Sequence, residues 1–230
     1  MKRVTPYNPL DKFNLARSIE SELLDQPGQP LSEIDKIAGA GVYAIYYRGP
    51  FRAYAPLVQV LPHGNEHRPI YVGKAIPKGG RKGGLVADAS SGGRALASRL
   101  KGHANSITEA LNLDLADFSV RHLVVDDVWI PLGENMLIES FRPVWNIALD
   151  GFGNKDAGIR RAAQYKSQWD IVHPGRRVAQ KQAESPLTQE WLLKRIEDYL
   201  AGRPPEKLPT AVAAQEAERH AEAEDIADEA

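Results

Sequence analysis

Tyr71, Gly73 and Lys74 fall within four residues of one another, and Lys78, Arg81 and Lys82 follow among four glycines in the stretch RPIYVGKAIPKGGRKGG, Arg68 to Gly84. A basic, glycine-rich loop of this kind lets backbone amides and side-chain cations approach a phosphate, although alone it serves equally well as a soluble connector. It lacks the Gly-x-x-x-x-Gly-Lys-Ser/Thr pattern of nucleotide hydrolases, so no nucleotide cofactor is expected. Further along, Arg99 and His103 are spaced by four, which places them on one face of a helix, one turn apart. The chain has no cysteine, which removes disulfides, thiolate nucleophiles and cysteine-held zinc together. Any metal must therefore be held by oxygen or imidazole, and hard cations such as magnesium are the natural candidates.

These residues need elements to hold them. GVYAIYY, Gly41 to Tyr47, alternates as a strand, with Tyr43, Ile45 and Tyr47 on one face and Val42, Ala44 and Tyr46 on the other. Ile70 to Gly73 is the next strand, with Ile70 and Val72 opposite Tyr71. Between them lies a proline-punctuated insertion, 49–69, holding one short strand at PLVQVL. A helix starts near Arg94, with Leu96, Leu100 and Ile107 at helical spacing; SVRHLVV is another strand. PLGENMLIESFRP is then a helix opening at Pro131 or Gly133 and ending before Pro143, with Glu134 in its first turn and Leu137, Ile138 and Phe141 buried. Upstream, a helix over about Leu15 to Leu24 is ended by DQPGQP; downstream, 147–200 reads as a folded extension with a helix near Thr188 to Leu200.

A chain of 230 residues with 43% hydrophobic content suits one domain with a real core, here 1–200. It contains no apolar run long enough for a membrane span and opens without a secretory signal, so a cytoplasmic protein with no membrane partner is expected. The formal charge of -1 hides an uneven distribution: residues 211–230 carry -6 and residues 1–210 carry +5. Lys74 to Lys101 holds seven bases against Asp88 alone, and Lys155 to Lys181 holds seven against Asp156 and Asp170. Such clustering is the footprint of a polyanionic partner, or simply a basic solvated face. The remainder, 201–230, reads as an acidic, flexible tail whose Ala/Glu-rich segment is a solvated helix or disorder.

In order along the chain, GVY (Gly41 to Tyr43), YVGKA (Tyr71 to Ala75), Arg99 with His103, and ENMLIESFRPVWN (Glu134 to Asn146) together resemble the GIY-YIG nuclease superfamily. The core so defined is 41–146. In most of that superfamily about ten residues separate the two tyrosine motifs, whereas Tyr43 and Tyr71 are 28 apart. The insertion, with extensions at 1–40 and 147–200, resembles the type II restriction endonuclease branch, most of all its CCGCGG-cutting group. The resemblance implies an α+β core, a small, mainly antiparallel three-stranded sheet flanked by helices. It also implies a DNA endonuclease using Mg2+, with Mn2+ able to substitute, that acts on double-stranded DNA as a homodimer.

The resemblance further assigns roles. Glu134 is the sole protein ligand of one divalent ion, and Arg99 holds nonbridging phosphate oxygens through its guanidinium fork. Tyr43 is the base-side residue and Tyr71 orients the phosphate, although the sequence alone does not decide which tyrosine does which. A free phenol titrates near ~10, so Lys74 and Arg99 are expected to lower that value by charge, with His103 taking the proton onward. Asn146 holds the site together by hydrogen bonding. Lys74, Lys78, Arg81 and Lys82 line the DNA backbone, and Arg160, Arg161, Arg176 and Arg177 can reach guanine edges, phosphates or only the surface.

Each residue also has a plain reading. Tyr43 and Tyr71 can be ordinary strand aromatics, Glu134 a carboxylate favoured by a helix dipole, Arg99 and His103 an exposed pair, Asn146 a turn residue. Asp126 and Asp127 invite comparison with nucleases that use Asp and Glu-x-Lys, but no Glu-x-Lys follows on a strand. His63, His67, His122, His173 and His220 show no zinc-ligand spacing. The alternatives to a restriction enzyme are a structure-directed repair nuclease and a non-catalytic DNA-binding protein on the same scaffold.

Overall fold

The computed structural model describes residues 8, 10–58, 68–76, 93–153 and 164–229, with side chains of the last helix as far as Arg219. Lys78, Arg81, Lys82, Arg160 and Arg161 lie outside the described residues, as does the stretch 59–67 of the insertion. The elements run α1 (Lys12–Asp25), β1 (Gln29–Pro30), β2 (Gly41–Tyr47), α2 (Ala55–Val58), β3 (Tyr71–Ala75), α3 (Ala95–Glu109), β4 (Phe118–Val124) and α4 (Ile130–Phe141). They continue with α5 (Val144–Ile147), α6 (Gln168–Val172), α7 (Gln189–Leu200) and α8 (Thr210–Glu229).

β2, β3 and β4 form the antiparallel sheet expected of the core, and the two-residue β1 pairs with β4 to give the order β1-β4-β2-β3. β2 is central and every residue in it is buried, which its unbroken run of apolar and tyrosine side chains permits. The alternation read from sequence holds: Tyr43, Ile45 and Tyr47 join a core with Leu96, Leu100 and Ile107 of α3, Trp145 and Trp169. Val42, Ala44, Tyr46 and Val72 pack on the other side with Leu23, Ile130 and Leu137, beneath α1 and α4. The sheet is thus sandwiched, with β3 as one edge strand.

That edge is closed by a side chain. Asn146 Nδ2 donates to Val72 O and its Oδ1 accepts from Val72 N, both at 2.9 Å, and Trp145 N donates to Ile70 O at 3.0 Å. The carboxamide imitates a neighbouring strand at one residue, satisfying backbone groups that an open edge would leave exposed to pairing.

Three expectations need correction. Pro56 to Val58, read as part of a strand at PLVQVL, belongs to the short helix α2, following a 3-10 turn over Arg52–Tyr54 that buries Tyr54. α4 opens at Ile130, so Glu134 sits in the second turn rather than the first, and helix-dipole stabilisation gives a weaker reason for its presence. The acidic segment is helical from Thr210, one of the two forms expected, but the first half of that helix is docked rather than solvated: Val212, Glu216 and Arg219 are buried, Glu216 accepts from Gln168 Nε2 at 2.6 Å, and Arg219 Nη2 donates to Tyr165 O at 2.9 Å.

Candidate active site

The register Tyr43↔Gly73 and Ile45↔Tyr71 puts both phenols on the sheet face covered by α3. Their rings lie 6.3 Å apart, centroid to centroid. Gly73 makes this arrangement possible: a Cβ there would lie 2.4 Å from Tyr43 Oη and 2.9 Å from Tyr71 Cε1. Any larger residue would push the two phenols apart or off the sheet.

From α3, one turn apart, Arg99 and His103 reach the same place. Tyr43 Oη and His103 Nε2 share a hydrogen bond of 2.7 Å inside the core, where both residues are buried. Arg99 lies beside both phenols, close enough to favour their ionised forms, and its Nη1 donates to Gly153 O. The turn after α5 closes the cluster. Phe152 stacks on the His103 ring at 4.6 Å and 18°, and packs edge-on to Tyr71 at 4.9 Å. Gly153, at φ 75°, passes so close that a Cβ would come within 2.4 Å of His103 Cε1. Neither Phe152 nor Gly153 stands in a motif that marks it in the sequence; their trace is the DGFG run, whose glycines mark a tight backbone passage.

Burial holds the Tyr43 phenol well above its ordinary value, reinforced by Tyr71 and opposed by Arg99. Tyr71 is raised as well, by burial first, with Arg99 lowering it and Glu134 and Asp150 raising it. Arg99 does lower both phenols by its charge, as expected, but desolvation outweighs it and the net shift is upward, while Lys74 is engaged elsewhere. Burial thus favours a protonated Tyr43, whose Oη shares its 2.7 Å bond with His103 Nε2 beside the Arg99 charge.

Strand alternation sends Lys74 to the opposite face from Gly73, under α4. There its Nζ lies 2.7 Å from Glu134 Oε2. Glu134 remains close enough to both phenols, around the edge of β3, to oppose their ionisation. The six residues Tyr43, Tyr71, Arg99, His103, Glu134 and Asn146 thus surround the middle of β3: four on the α3 face, Glu134 on the α4 face, and Asn146 along the outer edge. Arg176, considered for DNA contact, is excluded from it. It is 2% exposed and forks onto Asp170, with Nε to Oδ1 at 2.6 Å and Nη2 to Oδ2 at 2.7 Å.

Among the described residues no three His, Asp or Glu side chains gather as a metal-binding group, so a cation here would rest on Glu134. The fit is acceptable. The carboxylate is partly exposed and already carries one cation, the Lys74 ammonium, and a hard divalent ion that keeps its water shell needs only one or two carboxylates. Among the described residues no helix is long and apolar enough to cross a membrane.

A family model described as the Eco29kI GIY-YIG domain matches residues 35–200, more than two thirds of the chain, including every residue of this cluster. No curated protein matches the chain.

Proposed function

The chain belongs to the Eco29kI GIY-YIG domain family, a restriction endonuclease family, and from that premise we propose that it is a magnesium-dependent type II enzyme hydrolysing phosphodiester bonds of double-stranded DNA at a short, palindromic, GC-rich site such as CCGCGG. The observation that carries this reading is the hydrogen bond between Tyr43 and His103, buried beside Arg99 and within electrostatic reach of Glu134. Hydrolysis requires a water that loses a proton, charge against the phosphorane and a neutralised leaving oxygen.

Arg99 supplies a fixed fork for the nonbridging oxygens, and Tyr71, which is only partly buried, orients the phosphate beside it. A phenol held above its usual value is a poor resting base. Tyr43 instead works as a relay, accepting the water proton as its own passes along the existing bond to His103 Nε2, so that no free phenolate is formed. Glu134 would hold the divalent ion, which when bound supplies positive charge at the phosphate and a more acidic water. Asn146 keeps β3 in place by its paired bonds to Val72. A palindrome has two-fold symmetry, so two copies of the chain act on it, each cutting one strand.

Incubation with plasmid DNA and Mg2+ should give discrete fragments, and chelation should stop the reaction. Glu134→Gln should still retard DNA on a gel but cut it at least about a hundredfold more slowly. Cutting at the normal rate would remove the metal assignment; nicking confined to damaged or branched DNA would favour a repair nuclease, and retardation without cutting by the native chain would favour a binding protein.

A further inference from the structure

Lys74 was expected on the DNA backbone, yet it sits on a carboxylate, 2.7 Å from Glu134 Oε2, with 34% of its side chain and 15% of that of Glu134 exposed. Two features make the contact exchangeable. The lysine stem is flexible and its ammonium is readily rehydrated. The strand that carries it is held independently, by pairing with β2 from Gly41↔Ala75 to Ile45↔Tyr71 and by Asn146 on its outer edge. The ammonium can therefore leave without disturbing the phenols.

We infer that Lys74 is the resident counter-ion of Glu134 and that a divalent cation gains this carboxylate by displacing it. The inference rests on the reading of Glu134 as the metal ligand. Two cations compete for one partly buried carboxylate, so the free chain holds metal weakly. A DNA phosphate brought to the edge of β3 offers the displaced ammonium a new partner. Metal entry and the Lys74–phosphate contact then favour each other reciprocally.

Calorimetric titration of Mn2+ into the DNA-free full chain tests the exchange without reference to cleavage. A partly exposed ion pair contributes up to ~1 kcal/mol, about fivefold in a dissociation constant. Lys74→Met should therefore bind Mn2+ about fivefold more tightly than the native chain, whereas Lys74→Arg, which keeps a cation on Glu134, should not. Equal or weaker binding by Lys74→Met overturns the exchange. Adding Glu134→Gln to Lys74→Met should abolish the binding; if it persists, the metal reading of Glu134 itself has failed, a result distinct from binding that needs Glu134 but ignores Lys74. A readout that needs no folded Met variant is the Lys74 ammonium resonance, identified by its loss in Lys74→Arg. It should move on saturation with Mg2+, and a stationary signal overturns the proposal.

Discussion

Among the described residues the core contains two tyrosine–histidine pairs of almost the same geometry. Tyr43 Oη meets His103 Nε2 at 2.7 Å, and Tyr54 Oη meets His173 Nε2 at 2.6 Å; all four residues are buried. Their surroundings differ. Around the second pair Trp145 Nε1 donates to Tyr54 Oη at 2.8 Å, His173 Nδ1 lies 2.9 Å from Asn112 Oδ1, and Asn112 Nδ2 donates to Val172 O. The chain of donors runs one way from Trp145 to the Val172 carbonyl, which fixes the His173 tautomer and leaves the phenol no role but packing. The first pair faces a guanidinium, a second phenol and, around the strand edge, a carboxylate. A tyrosine–histidine bond is therefore no signature of catalysis by itself; the charges and the strand edge beside it decide.

The sharpest way to break that comparison is to remove one oxygen from each pair. Tyr43→Phe should lower the cleavage rate by about 10²–10⁴-fold, the usual worth of a positioned proton-transfer group. Tyr54→Phe should leave cleavage within about threefold, measured where both variants are folded. Its cost falls on stability instead, about 1–3 kcal/mol for each of the two buried groups it strands, Trp145 Nε1 and His173 Nε2. Equal losses of cleavage in the two variants would mean that the pairs do the same work and that the site has been placed wrongly.

Gly73→Ala sharpens the comparison from the backbone side. The added methyl would lie 2.4 Å from Tyr43 Oη and 2.7 Å from its Cζ, against atoms fixed by β2 and by His103. Relief requires the phenol to turn away from His103 or β3 to shift against the Asn146 bonds that hold its outer edge. Cleavage should drop by about a hundredfold, since a misplacement of an ångström costs on that order, while the melting free energy falls by about 1–3 kcal/mol. DNA retardation should persist, because the change touches no described cation. A variant with native cleavage would show that the close approach of β2 and β3 is not what sets the phenol.

Much of this site can be read from the sequence because its spacings are local. The alternation of GVYAIYY assigns Tyr43 to a face, and a separation of four places Arg99 with His103. Contacts between distant segments leave no such pattern. Lys74 reads as one more cation in a basic loop; only the packing of α4 on the far face of β3 turns it toward Glu134. Tyr54 and His173 are 119 residues apart, each an unremarkable residue in its own stretch. Arg176 stands in a basic segment, but burial and the Asp170 carboxylate convert it into a core ion pair. The tail is acidic overall, and nothing in that composition reveals that Val212, Glu216 and Arg219 form its docking face.

The smallest expected effect concerns the silent pair and reads its burial directly. Burial, aided by the positive charge of Arg176, pushes His173 down to about 3 from an ordinary 6.5. Below pH 6.5 the unfolded chain therefore takes up a proton that the folded chain refuses. Stability from this group is complete above pH 6.5 and is lost as the pH falls toward 3, by at most about 1.4 kcal/mol per pH unit. Urea unfolding of the native chain and of His173→Gln at pH 7 and at pH 4.5 isolates this contribution, because other titrating groups are common to both. The variant starts less stable at pH 7, having lost the Tyr54 and Asn112 partnerships, but its further loss on acidification should be smaller by about 2–3 kcal/mol. Equal losses in the two proteins would mean that His173 accepts a proton while folded, which the one-way chain from Trp145 to Val172 forbids.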